Sequence, residues 1–115
     1  MRVRTKRVYL APSDEDGTRI LVDRLWPRGL TKEKARVAIW LKEIAPSTEL
    51  RKWFSHDPEK WAEFKARYAG ELKSRGEQLA LLKQAAGRGP VTLVFGARDE
   101  EHNQAVVLQR MLQHK

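Results

Sequence analysis

Two apolar, strand-forming runs bracket a long helix-patterned stretch, and this arrangement constrains the fold more than any other feature of the chain. Ile20, Leu21 and Val22 follow one another without a polar break, and Val91-Thr92-Leu93-Val94-Phe95 repeats the pattern near the other end. Near-continuous apolar runs of this length mark strands covered on both faces, and strands joined by a long helical connection lie parallel in one sheet. Residues 18–25 and 91–96 are therefore expected to run side by side, with a right-handed crossover and their carboxyl ends together.

The rest of the chain fits around this pair. Val3 to Leu10 is a further strand-forming segment, set off by the turn-rich Pro12-Ser13-Asp14-Glu15-Asp16-Gly17. Trp26-Pro27-Arg28-Gly29 must end the second strand, because proline removes a ladder donor and restricts the residue before it. Thr31 is a helix cap, while residues 37–44 fit either a helix or a strand. Ser47 caps a short helix that buries Leu50, Trp53 and Phe54, and Asp57-Pro58 opens a long one. That helix carries Trp61, Phe64, Tyr68 and Leu72, then Leu79, Leu82 and Ala86, with a kink or break expected at Ser74-Arg75-Gly76. Gly87-Arg88-Gly89-Pro90 is expected to be a loop, and Asp99 to cap a last helix beginning at Glu100. The expectation is one α/β domain over residues 1–115: a small, partly parallel sheet covered by helices, in the order β-β-α-α-α-β-α.

Composition narrows the function classes. A chain of 115 residues that is 41% hydrophobic fills one domain, and its polar interruptions leave no membrane span or signal peptide. There is no cysteine, which excludes disulfides, thiolate catalysis, cysteine zinc sites and iron–sulfur clusters; the cytoplasm is the expected compartment. The net charge is +8, and residues 1–36 carry ten Lys and Arg against five Asp and Glu. Such an excess attracts anions of any kind without choosing among them.

The candidate site follows from topology. In open α/β sheets ligands bind at the carboxyl ends of the strands. Here that edge gathers Asp23-Arg24-Leu25-Trp26-Pro27-Arg28-Gly29 and Gly96-Ala97-Arg98-Asp99-Glu100-Glu101-His102-Asn103. Arg24, Arg28 and Arg98 are guanidiniums suited to bidentate capture of a phosphate or carboxylate, with Trp26 and Asn103 as further ligand-binding candidates. The competing reading is a structural network in which Arg24 and Arg98 pair with Asp23, Asp99 and Glu101. For proton transfer the candidates are His102, with Asp99 three residues before it on one helical face, and His56; His114 is a tail residue.

Other chemistries have less behind them. No histidine pair or loop has metal-ligand spacing, so no metal is expected. Ser55-His56-Asp57 is not a triad, because triad members converge in space rather than in sequence. Gly87-Arg88-Gly89 lacks the lysine and hydroxyl of a phosphate loop and the dinucleotide fingerprint, so no cofactor is expected. The alternative function is a basic nucleic-acid- or protein-binding module without catalysis, in which Arg2, Arg4, Lys6 and Arg7 make the contacts; no nucleic-acid-binding motif accompanies them.

Several segments carry a resemblance: Val22-Asp23-Arg24-Leu25-Trp26-Pro27-Arg28-Gly29, Lys42-Glu43-Ile44-Ala45-Pro46-Ser47, Leu50-Arg51-Lys52-Trp53-Phe54, His56-Asp57-Pro58 and Arg98-Asp99-Glu100-Glu101-His102-Asn103-Gln104-Ala105-Val106-Val107-Leu108. In these, and in their order, the chain closely resembles the YeaO-like family of bacterial proteins, a domain of unknown function. The resemblance implies a small bacterial cytoplasmic α/β protein and supplies no reaction, cofactor or catalytic residue. It adds Ser47 and His56-Asp57 to the possible members of the site. The combined expectation is a small-molecule enzyme or binding domain for an anionic ligand at the ends of strands 18–25 and 91–96.

Overall fold

The computed structural model describes residues 2–113, so His114 lies outside it. Four strands form one sheet: β1 (Val3–Arg7), β2 (Thr18–Leu21), β3 (Ile39–Trp40) and β4 (Val91–Phe95), in the order β1-β4-β2-β3. Every pairing is parallel, and β2 lies against β4 in the register Thr18–Val91 to Leu21–Val94. The expected α/β class and the side-by-side placement of the two apolar runs are therefore as read from the sequence.

The helices are α1 (Lys32–Ala35), α2 (Thr48–Phe54), α3 (Trp61–Leu72), α4 (Gly76–Arg88) and α5 (Gln104–Gln113). Strand alternation sorts the core. Ile20, Val22, Leu93 and Phe95 face the side where α2 to α5 deliver Phe54, Phe64, Tyr68, Leu82 and Leu108. Leu21 and Val94 face the other side, which only Val8, Ala35, Trp26, Leu30 and Val37 cover. The sheet is thus covered by α2 to α5 on one face and by α1 and loops on the other. Among the described residues no helix is long and apolar enough to cross a membrane.

Several boundaries also differ. Residues 37–44 supply β3 and a 3₁₀ turn (Lys42–Ile44), because the Ala38 and Leu41 amides donate to the Arg19 and Leu21 carbonyls at the open edge of β2. The long helix breaks into α3 and α4 at residues 73–75, where the break was expected, whereas Gly87 and Arg88 complete α4 rather than forming a loop. The last helix starts at Gln104, not Glu100, since Asn103 Oδ1 accepts from the Val106 amide and takes the capping position. Asp99 caps the preceding turn instead, accepting from the amides of Glu101 and His102.

Beneath the thinly covered face lies a charged cluster at the amino ends of the strands. Arg19, only 3% exposed, donates to Asp16 Oδ2 at 2.7 Å and to the Ala35 carbonyl at 3.0 Å. Lys6 reaches both Asp16 oxygens at 3.2 Å, and Thr92 Oγ1 donates to the Asp16 carbonyl. Asp16 in turn closes a capping box with Ser13.

Candidate functional site

The carboxyl ends of β2 and β4 meet at Asp23 and Gly96. Asp23 Oδ2 accepts the Gly96 amide at 2.8 Å, and a side chain at position 96 would bring its Cβ to 3.0 Å from that oxygen, so glycine lets the carboxylate settle on the strand end. Asp23 Oδ1 accepts from Gln104 Nε2 at 2.5 Å, which ties in the first turn of α5. Burial pushes the Asp23 carboxyl above its ordinary value, against the opposing pull of the Gly96 and Gln104 donors and of the Arg51 and His56 charges.

A cleft of about 200 Å³ opens over this carboxyl. Its polar wall carries Arg51, His56, His102 and Gln104; Phe54 and Phe64, stacked with centroids 4.3 Å apart, supply its apolar wall. A second hollow adjoins it, lined by His56, Gly96, Ala97, Arg98 and Asp99.

Local structure aims the two histidines. Helix α2 ends on Ser55 in the left-handed region (φ 45°), and His56 follows in the same region (φ 56°), so the chain doubles back and carries the imidazole to the strand ends. Two consecutive non-glycine residues at positive φ are costly, by about 1–2 kcal/mol each, and persist only where the surroundings hold them. Because Ser55 makes no side-chain cap, Ser55→Gly is expected to relieve its share and raise stability by about 0.5–1 kcal/mol, read as an upward shift of a few degrees in thermal denaturation. His102 Nδ1 sits 2.9 Å from Asp99 Oδ2, and its ring stands edge-on to Trp61 at 5.2 Å. Asp99 is held below the usual carboxylate range by the Glu101 amide and by His102. The Asp99 contact fixes the orientation of the His102 ring at the cleft wall.

The structure separates the expected residues into groups. His56, His102 and Asn103 line the cleft, and Asp99 lies beside it with Arg98 in the adjoining hollow. Asn103 is spent on structure, bonding the Asp99 carbonyl and the Val106 amide. The three arginines do not converge. Arg24 turns its guanidinium to the carbonyls of Ala45 and Pro46 (3.1 and 3.4 Å), and Arg28 is exposed with its carbonyl bonded by Tyr9. Nor do Arg24 and Arg98 form the alternative network with Asp23, Asp99 and Glu101; no such pair occurs among the described residues. Trp26 donates to the Leu30 carbonyl and packs edge-on to Trp40, away from the cleft. Ser47 caps α2 and donates to Glu71 Oε2 at 2.6 Å, which places it outside the cleft as well. Among the described residues no three His, Asp or Glu side chains are placed to hold a metal ion.

Two lining residues, Arg51 and Gln104, were not singled out from the sequence, and Asp23 was considered only as a partner for arginine. Asp23 had a usable signal, its place at the carboxyl end of a buried strand. Arg51 had a weaker one: it stands one helical turn before Phe54, on the same face of a helix that buries that ring.

A model described as the inactive DUF488-N3 subclade matches residues 2–115. The chain belongs to that family. Curated relatives of the DUF488-N3 chain agree: an uncharacterized protein of Mycobacterium tuberculosis is 46% identical over 111 residues, covering 96% of this chain and 93% of its own length. The uncharacterized protein YeaO of Escherichia coli is 43% identical over 108 residues, covering 94% of each. No solved structure matches the chain significantly. The polar cleft residues of this DUF488-N3 chain, Asp23, Arg51, His56, His102, Asn103 and Gln104, fall within four of the segments that carried the YeaO-like resemblance, and Pro46 falls within the remaining one.

Proposed function

We propose that this chain is a binding domain for a small anionic molecule bearing a carboxylate or phosphate, received at the carboxyl ends of β2 and β4. The observation that carries the reading is the convergence of Arg51, His56 and His102 on one cleft beside an apolar ring pair. Arg51 supplies a fixed charge and a bidentate fork, the imidazoles supply N–H donors, and Phe54 and Phe64 take the carbon skeleton. Burial raises the Asp23 carboxyl, and an anion beside it raises it further. Binding therefore takes up a proton and strengthens as the pH falls.

Binding without turnover is favoured by the description of the subclade as inactive. The Asp99–His102 pair is the feature that favours an enzyme, since it holds an oriented imidazole at the cleft. The nucleic-acid alternative is weakened by the engagement of three of its four cations: Arg4 lies 3.7 Å from Glu15, Lys6 is held by Asp16, and Arg7 donates to the Ala97 carbonyl.

The test is thermal denaturation with acetate, inorganic phosphate, nucleotides and short RNA and DNA, at low and moderate salt and at two pH values. An anion present at 100 times its Kd stabilises by about 2.7 kcal/mol. The expected result is stabilisation by a small acid that survives moderate salt, grows at the lower pH and weakens at least about tenfold in Arg51→Ala. Stabilisation by nucleic acid alone, abolished by salt, would overturn the reading in favour of a binding module.

A further inference from the structure

The cleft and the adjoining hollow share His56, Gly96 and Ala97, so they are two chambers of one groove across the end of β4. Each chamber holds one arginine: Arg51 in the first, Arg98 in the second. Elsewhere Arg4, Arg19 and Arg67 pair with carboxylates and Arg7, Arg24 and Arg75 with carbonyls, while Arg28 and Arg110 are exposed like Arg51 and Arg98 but lie outside both chambers. Arg51 and Arg98 have no carboxylate within 4.0 Å and donate to no carbonyl among the described residues. The acid in the second chamber, Asp99, is itself occupied, accepting from two amides and from His102.

Resting on the anion-binding reading above, we propose that the groove is a bipartite site for a molecule with two acid groups on a short carbon chain, one group at Arg51 and the other at Arg98, with His56 between them. A single carboxylate satisfies one guanidinium and leaves the other facing water. A diacid satisfies both, and the second contact forms with the ligand already in place, so it adds affinity without a second loss of translational freedom. Because the two arginines line different chambers, chain length becomes a selective variable: a chain too short to span the groove gains nothing from its second group.

Isothermal titration with propionate, succinate, glutarate, adipate and phosphonoacetate tests this on the full chain, the wild type beside Arg51→Ala, Arg98→Ala and Arg110→Ala. Arg110, exposed on α5 and outside both chambers, controls for the loss of one positive charge. At least one diacid is expected to bind about tenfold or more tightly than propionate, with an optimum in chain length. Arg98→Ala should erase that advantage while leaving propionate affinity in place, Arg51→Ala should weaken both classes, and Arg110→Ala should change neither ratio. Equal affinity for mono- and diacids, or a diacid advantage that survives Arg98→Ala, overturns the bipartite site while leaving the anion cleft standing. If the wild type binds none of these acids, the anion reading fails and the bipartite site falls with it.

Discussion

Asp16→Ala is expected to cost about 3–5 kcal/mol of stability, because it strands the Arg19 guanidinium, 3% exposed, without its counter-charge. Arg19 Nη2 already lacks a hydrogen-bond partner in the protein, and the substitution would leave Nη1 in the same condition. Lys6 also loses its partner, though it is nearer to solvent and contributes less. The check is urea denaturation of Asp16→Ala, Arg19→Met and the double variant. If the loss comes from an uncompensated buried charge, the double variant should be markedly more stable than Asp16→Ala alone, since removing both members of such a pair is far cheaper than removing one. A double variant no better than the single one would show that Asp16 acts through the Ser13 capping box instead.

The same carboxylate makes stability depend on pH. Burial works to raise the pKa of Asp16, but the Ser13 amide and the Arg19 and Lys6 side chains outweigh it, and the net value lies below the ordinary one. A carboxyl lowered in the folded state contributes stability that is complete above its unfolded value, near pH 4, and is lost as the pH falls through the folded value. Wild-type stability should accordingly decline on acidification below about pH 4, and the decline should be shallower in the double variant that lacks the pair.

Gly17→Ala is expected to be comparably damaging, for a steric reason. Gly17 has φ 64° and ψ −135°, a conformation essentially confined to glycine, and a Cβ there would stand 2.1 Å from the Pro90 carbonyl oxygen. That oxygen accepts the Thr18 amide at 3.0 Å, the contact that sets β2 beside β4, so neither backbone can retreat without breaking the ladder at its start. Strain of about 1–3 kcal/mol from the dihedral and a similar amount from the clash give an expected loss of about 2–6 kcal/mol. Thermal denaturation decides it: a loss below 1 kcal/mol would mean that the 87–90 segment moves aside freely. Because Gly17 lies at the amino ends of the strands and the cleft at their carboxyl ends, folded Gly17→Ala should keep the wild-type response to small acids at low temperature.

The contrast between these two ends of the sheet shows what could be read in advance. The strand pair was legible because Ile20-Leu21-Val22 and Val91 to Phe95 bury both faces and so lose their polar alternation. The break near Ser74 and the caps at Ser47 and Asp57 were legible because a cap is a contact within three residues. Residues 37–44 were not, since a two-residue strand is defined by the free edge of β2 that it finds and not by its own pattern.

The amino-acid order alone therefore determined the class of fold, the pairing of β2 with β4 and the sheet edge proposed for the site. All three follow from periodicity, local hydrogen bonding and chain connectivity. Only the tertiary structure decided which side chains share the cleft. It withdrew Arg24 to the Ala45 and Pro46 carbonyls, left Arg28 outside, spent Ser47 on Glu71, and brought Arg51 from α2 and Gln104 from α5 to Asp23. The physical reason is that hydrophobic burial has no direction: it fixes how helices settle on the sheet, and the orientation of each polar side chain is what remains after that packing is complete.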